Sequence, residues 1–220
     1  MEVTLLHSSS GYQVYLHLAL RDAVAAYERA WEIVREQPPM TEDNPSGELM
    51  LLHYQLEERR AVAVLLAASC VEAVANFCLA CKASPDQFAV LERATFIEKW
   101  TTVPTLFFPG YTLPRDGELF QDLKRVHERR NALMHLKETV TVAGVTSSPG
   151  TPPPRAGDEH VFIPRCRTLP DRLLSHLCTF DDGGSLGPVH GVLAWADAIA
   201  SVRKKQAADA KADEEKPASG

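Results

Sequence analysis

The segment ERRNALMHLK, residues 128–137, carries side chains that could do chemistry on a phosphate group. Arg130 takes a position in the apolar seam of a predicted helix, and Asn131 and His135 form an i, i+4 pair on the adjoining stripe. The imidazole of His135 can gain or lose a proton near neutral pH, as a general acid or base must. Arg130 offers a planar, permanently charged fork to a phosphate oxygen whose charge grows in the transition state. Asn131 could orient either the histidine or the phosphate.

A matching polar stripe lies in the most apolar part of an earlier predicted helix. At helical spacing, this stripe runs through Leu65, Ser69, Glu72, Asn76 and Leu79. A carboxylate buried there needs a cation or several hydrogen-bond donors. The sequence therefore predicts that Glu72 pairs with Arg130 or Asn131 and pins the two helices together. Ser69 and Asn76 are predicted to support that contact.

Structural roles compete with these chemical ones. Arg130 could serve only to fix helix packing, in an ion pair with Glu72. His135 could be a helix-end side chain that bonds a backbone carbonyl or water. Cys78 and Cys81 form a C-x-x-C within an apolar helix, which favours core packing over metal or redox chemistry. No phosphate-binding glycine loop, metalloprotease motif or calcium loop occurs in the sequence, so we expect neither a metal nor another cofactor.

Bulk composition predicts a soluble protein with one domain. The chain has 220 residues, of which 45% are hydrophobic and 24% charged, and its formal net charge is −6. This balance argues against a surface coated with basic residues for indiscriminate nucleic-acid binding. Five cysteines do not indicate a disulfide framework. The sequence shows neither a signal peptide nor a long uninterrupted apolar run, so we expect a cytoplasmic protein with reduced thiols and no membrane contact.

Long helices are predicted to position the two polar stripes. Apolar residues at steps of three and four predict helices over residues 12–36, 48–82, 84–100 and 117–137. Ser84 is the expected N-cap of the third helix and Pro85 its first residue. The fourth of these helices carries the Arg130 motif.

The pattern changes after the motif helix. Alternating residues in 139–145 and in HVFIP, residues 160–164, predict a small β-hairpin around a long Pro/Gly-rich loop. A short helix is then predicted over residues 168–180, with Thr168 as N-cap and Asp171 at its third position. A last helix is predicted over residues 186–205.

These elements predict an all-α fold: an up-down bundle of four to five main helices with a small β-hairpin insertion after the motif helix. We expect one domain over residues 1–205, divided into a core bundle 12–137, a loop and hairpin excursion 138–165 and C-terminal helices 166–205. The charged tail 206–220 is predicted to be disordered.

The motif and its context resemble a known superfamily. RNALMH, residues 130–135, is similar to the Arg-Asn-x-x-x-His motif of HEPN domains, the higher eukaryote and prokaryote nucleotide-binding domains. The acidic residue and asparagine of SCVEAVAN, residues 69–76, and the order of two long helices, a shorter one and the motif helix also resemble that superfamily. The resemblance covers roughly residues 12–137.

The resemblance implies a metal-independent endoribonuclease that acts as a homodimer. In such domains, paired motif helices form one composite site, where the ribose 2′-hydroxyl attacks the neighbouring phosphate and leaves a 2′,3′-cyclic phosphate. Arg130 and His135 would be catalytic and Asn131 auxiliary. RNA carries this nucleophile itself, so no serine, thiolate or metal is required. The family also implies a toxin, defence or stress-response setting, with an antitoxin or another system protein as partner.

Local charge suits RNA as a substrate. Residues 121–137 carry a net charge of +3, from five basic and two acidic side chains, in an otherwise acidic protein. Besides Arg130, the predicted RNA-binding residues are Lys124, Arg125, Arg129 and Lys137. Two rival interpretations stay open at this point. One is a non-catalytic HEPN-like module that binds a protein or nucleotide, and the other is a helical scaffold unrelated to the family.

Overall fold

A computed structural model describes residues 2–37, 47–134 and 156–214, and all regular structure within these ranges is helical. The helices are α1 Glu2–Arg35, α2 Gly47–Lys82, α3 Pro85–Leu91, α4 Glu98–Thr101, α5 Glu118–Met134, α6 Ala156–Cys166, α7 Leu169–Cys178 and α8 Gly187–Glu214, with a 3₁₀ turn at Val103–Leu106. The all-α prediction is confirmed for this part of the chain. His135, Lys137 and the strand predicted over residues 139–145 lie outside the described residues.

Helix α2 forms the centre of the core, as its almost uniformly apolar second half predicts. Ala63, Val71 and Val74 are fully buried in it, and it packs against α1 along much of its length. Helices α5, α6 and α7 also contact α2. Among the described helices, α2 alone is long and apolar enough to cross a membrane, and 61% of its most apolar window is buried inside the protein. Burial on this scale is the behaviour of a core helix.

The third predicted helix is divided into two. Its start is as predicted: Ser84 and Gln87 form a capping box, with Pro85 in the first turn. Helix α3 nevertheless ends at Leu91, and α4 begins only at Glu98. Thr95 and Glu98 exchange hydrogen bonds between backbone and side chain, which starts a new turn at this point. The break directs Lys99 and Trp100 into the core, where both are buried.

The strand predicted at residues 160–164 is wrong, because this segment lies within α6. Its buried residues, Glu159, Phe162, Ile163 and Cys166, recur at the i, i+3, i+4 and i+7 positions of a helix. Three apolar residues before a proline fit either a strand or a helix. Only the packing of α6 against α1 and α2 separates the two, and that packing is a tertiary effect.

The C-terminal helices differ from prediction at their ends. Thr168 does not cap α7 with its side chain; its hydroxyl donates to the carbonyl of Arg165. Its backbone is helical, with φ −102° and ψ −3°, and not in the extended conformation that an N-cap residue requires. Helix α8 continues to Glu214, past its predicted end at residue 205 and into the segment predicted to be disordered. Residues 215–220 lie outside the described part.

A buried carboxylate fixes the motif helix against its neighbours. Asp122 on α5 accepts hydrogen bonds from Arg165 on α6, at 2.6 Å, and from Arg172 on α7, at 2.7 Å. Its side chain is 10% exposed, whereas both arginines are about one-third exposed. The contact therefore joins three helices through one desolvated charge.

Replacing Asp122 with alanine is expected to lower the free energy of unfolding by about 2 kcal/mol, because two half-buried guanidinium groups lose their shared carboxylate. Urea denaturation measures this change. Glu118→Ala is the matched control, since Glu118 also pairs with Arg165 and Arg172 but is 66% exposed. The control should cost no more than about 1 kcal/mol. Equal losses in the two variants would contradict the role given to burial.

Candidate functional site

Arg130 lies near the C-terminal end of α5, one turn beyond the buried Val126. It is partly exposed, and no described residue forms an ion pair or hydrogen bond with its guanidinium. The predicted burial of this arginine against an acidic partner is therefore absent from the described part of the chain. A half-buried guanidinium with vacant donors is suited to binding an anionic oxygen.

The predicted pairing of Glu72 with Arg130 or Asn131 is wrong. Glu72 instead accepts a hydrogen bond from Lys99 on α4, with 2.9 Å between Nζ and Oε1. The Lys99 side chain is only 5% exposed, so its ammonium needs a carboxylate more than the partly exposed Arg130 does. The short α4 brings that lysine to α2, and Arg130 is left without this partner.

A double-mutant cycle tests this assignment. Combining Glu72→Gln with Lys99→Met should reveal a coupling free energy of about 1 kcal/mol, because the two side chains touch. Combining Glu72→Gln with Arg130→Gln should give a coupling within about 0.3 kcal/mol of zero, because the two make no contact. Free energies of unfolding from urea denaturation supply both values. Strong coupling of Glu72 to Arg130 would restore the original pairing.

The remaining polar residues of the α2 stripe do not form a buried row. Ser69 is exposed, and its hydroxyl donates to the Leu65 carbonyl of its own helix at 2.9 Å. Asn76 is half-buried, and its side-chain oxygen is buried without a hydrogen-bond partner in the described structure. Ser69 therefore gives no support to Arg130, and Asn76 holds a vacant acceptor close to the core.

The amide of Asn131 contacts His127, a histidine to which the sequence assigned no role. The Nδ2 atom of Asn131 lies 3.1 Å from Nε2 of His127, whose ring stacks on Phe96 with 5.4 Å between centroids. The other ring nitrogen of His127 is buried without a partner in the described part. The spacing contained a usable signal, because His127 precedes Asn131 by four residues, the separation of neighbours on one helix face.

Two of the predicted RNA-binding residues already hold a carboxylate. Arg125 and Arg129 both donate to Oε1 of Glu159, at 3.0 and 2.7 Å. Lys124 is about half exposed and lies 3.7 Å from Glu128. Glu159 escaped prediction because its segment was assigned to the excursion between the main helices. In this structure the basic face of α5 is thus partly covered by α6.

A second polar cluster lies between α1, α7 and α8. Gln13 and His17 are almost completely buried, at 5% and 2% exposure, and Arg21 pairs with Asp197. Burial, followed by the nearby Arg21 charge, lowers the pKa of His17 to about 4. Burial, followed by the Asp197 charge, raises the pKa of Asp171 to about 6. Asp171, predicted only as a capping residue, is therefore a perturbed acid.

Three polar atoms of this cluster are buried without a hydrogen-bond partner in the described structure: Oε1 of Gln13, Nε2 of His17 and Nε of Arg21. These residues occur at i, i+4 and i+8 on α1 and so share one helix face. This polar stripe of α1 faces the interior of the protein and not solvent. Polar groups of this kind normally bind ordered water or another polar group.

The described cysteines and acidic residues show no metal-binding or redox site. Cys78 is buried and Cys81 half-buried, and both are free thiols. Burial raises the pKa of both, which disfavours the reactive thiolate. Within the described ranges, no group of three or more His, Cys, Asp or Glu side chains is placed to hold a metal ion.

No protein-family model, no curated protein and no solved structure matches this chain significantly.

Proposed function

We propose that this chain is a HEPN-like, metal-independent endoribonuclease that acts as a homodimer, with Arg130 and His135 as its catalytic residues. The observation that carries the proposal is the state of Arg130. The carboxylate expected to neutralise it is bound to Lys99, so its guanidinium has no ion pair among the described residues. A packing role for Arg130 needs such a partner, whereas a phosphate-binding role needs a vacant guanidinium.

The proposed reaction uses the ribose 2′-hydroxyl of RNA as nucleophile. A base removes its proton, the oxygen attacks the neighbouring phosphorus, and the bond from phosphorus to the 5′-oxygen breaks. An acid gives that leaving oxygen a proton, and a 2′,3′-cyclic phosphate remains. Arg130 stabilises the negative charge that develops on the phosphate oxygens.

A dimer suits this chemistry because the base must start neutral and the acid must start protonated. In an in-line displacement the attacking 2′-oxygen and the leaving 5′-oxygen lie on opposite sides of the phosphorus, so one imidazole does not reach both, and the His135 residues of two protomers would divide the roles. Asn131 is auxiliary, and its contact with His127 gives it a fixed orientation. In this proposal the helices form an up-down bundle that presents the end of α5 to its symmetry mate. The biological setting would be a toxin–antitoxin, defence or stress-response system.

A second candidate is a HEPN-like module that binds a protein or nucleotide without catalysis. It is favoured by the contacts of Arg125 and Arg129, whose guanidinium groups each donate to Glu159 in this structure. In this alternative, Arg130 and Asn131 contribute to a binding surface alone.

RNA cleavage by the purified protein in EDTA separates the two candidates. The substrate is a mixture of labelled single-stranded RNAs of varied sequence, and the product ends are analysed for 2′,3′-cyclic phosphates. Cleavage that yields this end without metal supports the nuclease. A protein that binds the RNAs but leaves them intact supports the binding module. Light scattering of the same sample tests for the homodimer.

A further inference from the structure

Three arginines converge on one buried carboxylate, and we call this group the Glu159 cluster: Arg60 from α2, Arg125 and Arg129 from α5, and Glu159 from α6. Arg125 and Arg129 donate to Oε1 of Glu159, and Arg60 lies 3.6 Å from Oε2. The Glu159 side chain is 7% exposed, whereas the three arginines are between 23% and 32% exposed. The carboxylate is thus enclosed by cations that themselves reach solvent.

The cluster contains more positive charge and more donors than Glu159 can satisfy. Its three guanidinium groups and one carboxylate carry a net charge of +2, or +1 when Glu57, the other partner of Arg60, is included. Oε2 of Glu159 and Nε of Arg60 are buried without hydrogen-bond partners in the described part. The contact at Asp122, which also holds helices together, is neutral, with two arginines and two carboxylates, whereas the Glu159 cluster keeps a surplus of positive charge that needs another explanation.

Aromatic contacts hold the surrounding groups in place. The guanidinium of Arg125 lies over the Phe162 ring, 4.3 Å from its centroid. His160, the residue after Glu159, is exposed and stacks on Trp31 with 5.0 Å between centroids and 4° between planes. Arg125 would therefore keep its orientation if Glu159 moved away.

We propose that the Glu159 cluster is a binding site for a backbone phosphate of RNA, and that Glu159 occupies it until RNA displaces the carboxylate. This inference rests on the proposed function, because it extends the substrate contacts of the same helix α5. Arginine recognises carboxylate and phosphate through the same paired N–H donors, so one anion can replace the other. Glu159 lowers RNA affinity in the resting protein and keeps the three arginines in a receptive geometry.

The test is the affinity of Glu159→Gln for a fluorescein-labelled 20-nucleotide oligouridylate, measured in EDTA by anisotropy. Glutamine retains the shape and one acceptor oxygen but removes the competing charge. The dissociation constant should fall at least about fivefold, and its salt dependence should steepen by about 0.7 for each phosphate gained. Adding Arg129→Gln to this variant should return the affinity toward that of the wild type. Oligodeoxyuridylate serves as a second probe, because phosphate contacts alone do not distinguish RNA from DNA.

Glu118→Gln is the matched control. It causes the same change in net charge and also removes a carboxylate from two arginines, Arg165 and Arg172, but at the N-terminal end of α5, where both keep Asp122 as a partner. An equal gain in affinity in this control, or no gain in Glu159→Gln, overturns the inference. Circular dichroism and thermal melting verify that each variant is folded. If Glu159→Gln melts, Glu159→Asp replaces it, since the shorter side chain withdraws from the arginines and should also tighten RNA binding.

The outcomes are distinguishable from those of the cleavage experiment. Tighter RNA binding by Glu159→Gln without cleavage by any form retains the phosphate site and removes the nuclease. Cleavage by the wild type with unchanged binding in Glu159→Gln retains the nuclease and removes the phosphate site.

Discussion

Replacing Arg130 with alanine is expected to lower the rate of RNA cleavage by about 100- to 1000-fold, the usual effect of losing one donor to a developing oxyanion. His135→Ala should lower it by a similar factor or more, because general acid–base catalysis contributes about 100- to 10,000-fold. The measurement is the single-turnover rate on a labelled RNA in EDTA. Arg130→Lys should recover only part of the loss, since lysine keeps the charge but lacks the planar pair of donors.

The state of Arg130 makes this test clean. Because no described residue pairs with it, its removal leaves none of the described charges without a partner, and stability should change by no more than about 0.5 kcal/mol. Arg35→Ala is the matched control, because this exposed arginine lies at the end of α1 and, among the described residues, pairs only with Glu32. Retention of the wild-type cleavage rate in Arg130→Ala would refute the catalytic role. A loss of cleavage together with a lowered melting temperature would return Arg130 to a structural role.

Local rules were sufficient for the helices whose signals are local. The capping box at Ser84 needs only residues 84–87, and it is present as predicted. The apolar second half of α2 needs only its own sequence to predict central burial. The long helices α1, α2 and α5 begin or end within a few residues of their predicted limits wherever their ends are described, except that α1 starts ten residues earlier.

The partners of the ion pairs could not be predicted from local sequence in the same way. Glu72 pairs with Lys99 and not with Arg130 because a break at residues 92–97 turns α4 toward the core. That break depends on the exchange of hydrogen bonds between Thr95 and Glu98. The sequence offers several basic residues as partners for Glu72. Only the fold determines which of them is desolvated enough to require its carboxylate.

The same limit explains why Glu159 was missed. Its segment lies between an apolar run and a Pro/Gly-rich stretch, and periodicity over so few residues does not separate a strand from a helix. Its significance appears only when α6 is placed beside α5, where it meets Arg125 and Arg129. His127 differs from Glu159, because its i, i+4 spacing from Asn131 can be found in the sequence alone.

The polar cluster between α1, α7 and α8 predicts an unusual pH dependence of stability. The folded-state pKa of Asp171 is raised to about 6 from 3.8, so its contribution to stability is present below pH 4 and is lost as the pH rises through 6. The folded-state pKa of His17 is lowered to about 4 from 6.5, so its contribution is present above pH 6.5 and is lost as the pH falls toward 4. The two effects oppose each other over the same pH range and largely cancel in the wild type.

Single substitutions should separate the pH dependence due to Asp171 from that due to His17. Asp171→Asn removes a buried charge and should stabilise the protein by about 2 kcal/mol at pH 7.5, an advantage that disappears as the pH falls to 4. His17→Gln should show the opposite trend: relative to wild type, its free energy of unfolding should improve by up to about 3 kcal/mol between pH 7 and pH 4, because no buried imidazole remains to be protonated on unfolding.

Urea denaturation at pH 4, 5, 6 and 7.5 measures both trends as differences from the wild type, which removes the titration of all other groups. The double variant is the internal control. The charges of Arg21 and Asp197 affect the pKa of both His17 and Asp171. The difference curve of the double variant should therefore equal the sum of the two single curves, apart from the coupling free energy that these charges produce between the two residues. Difference curves with the same slope would show that the two side chains are not desolvated in the way their positions on α1 and α7 require. Opposite slopes would establish that a buried acid and a buried base balance each other in the folded protein.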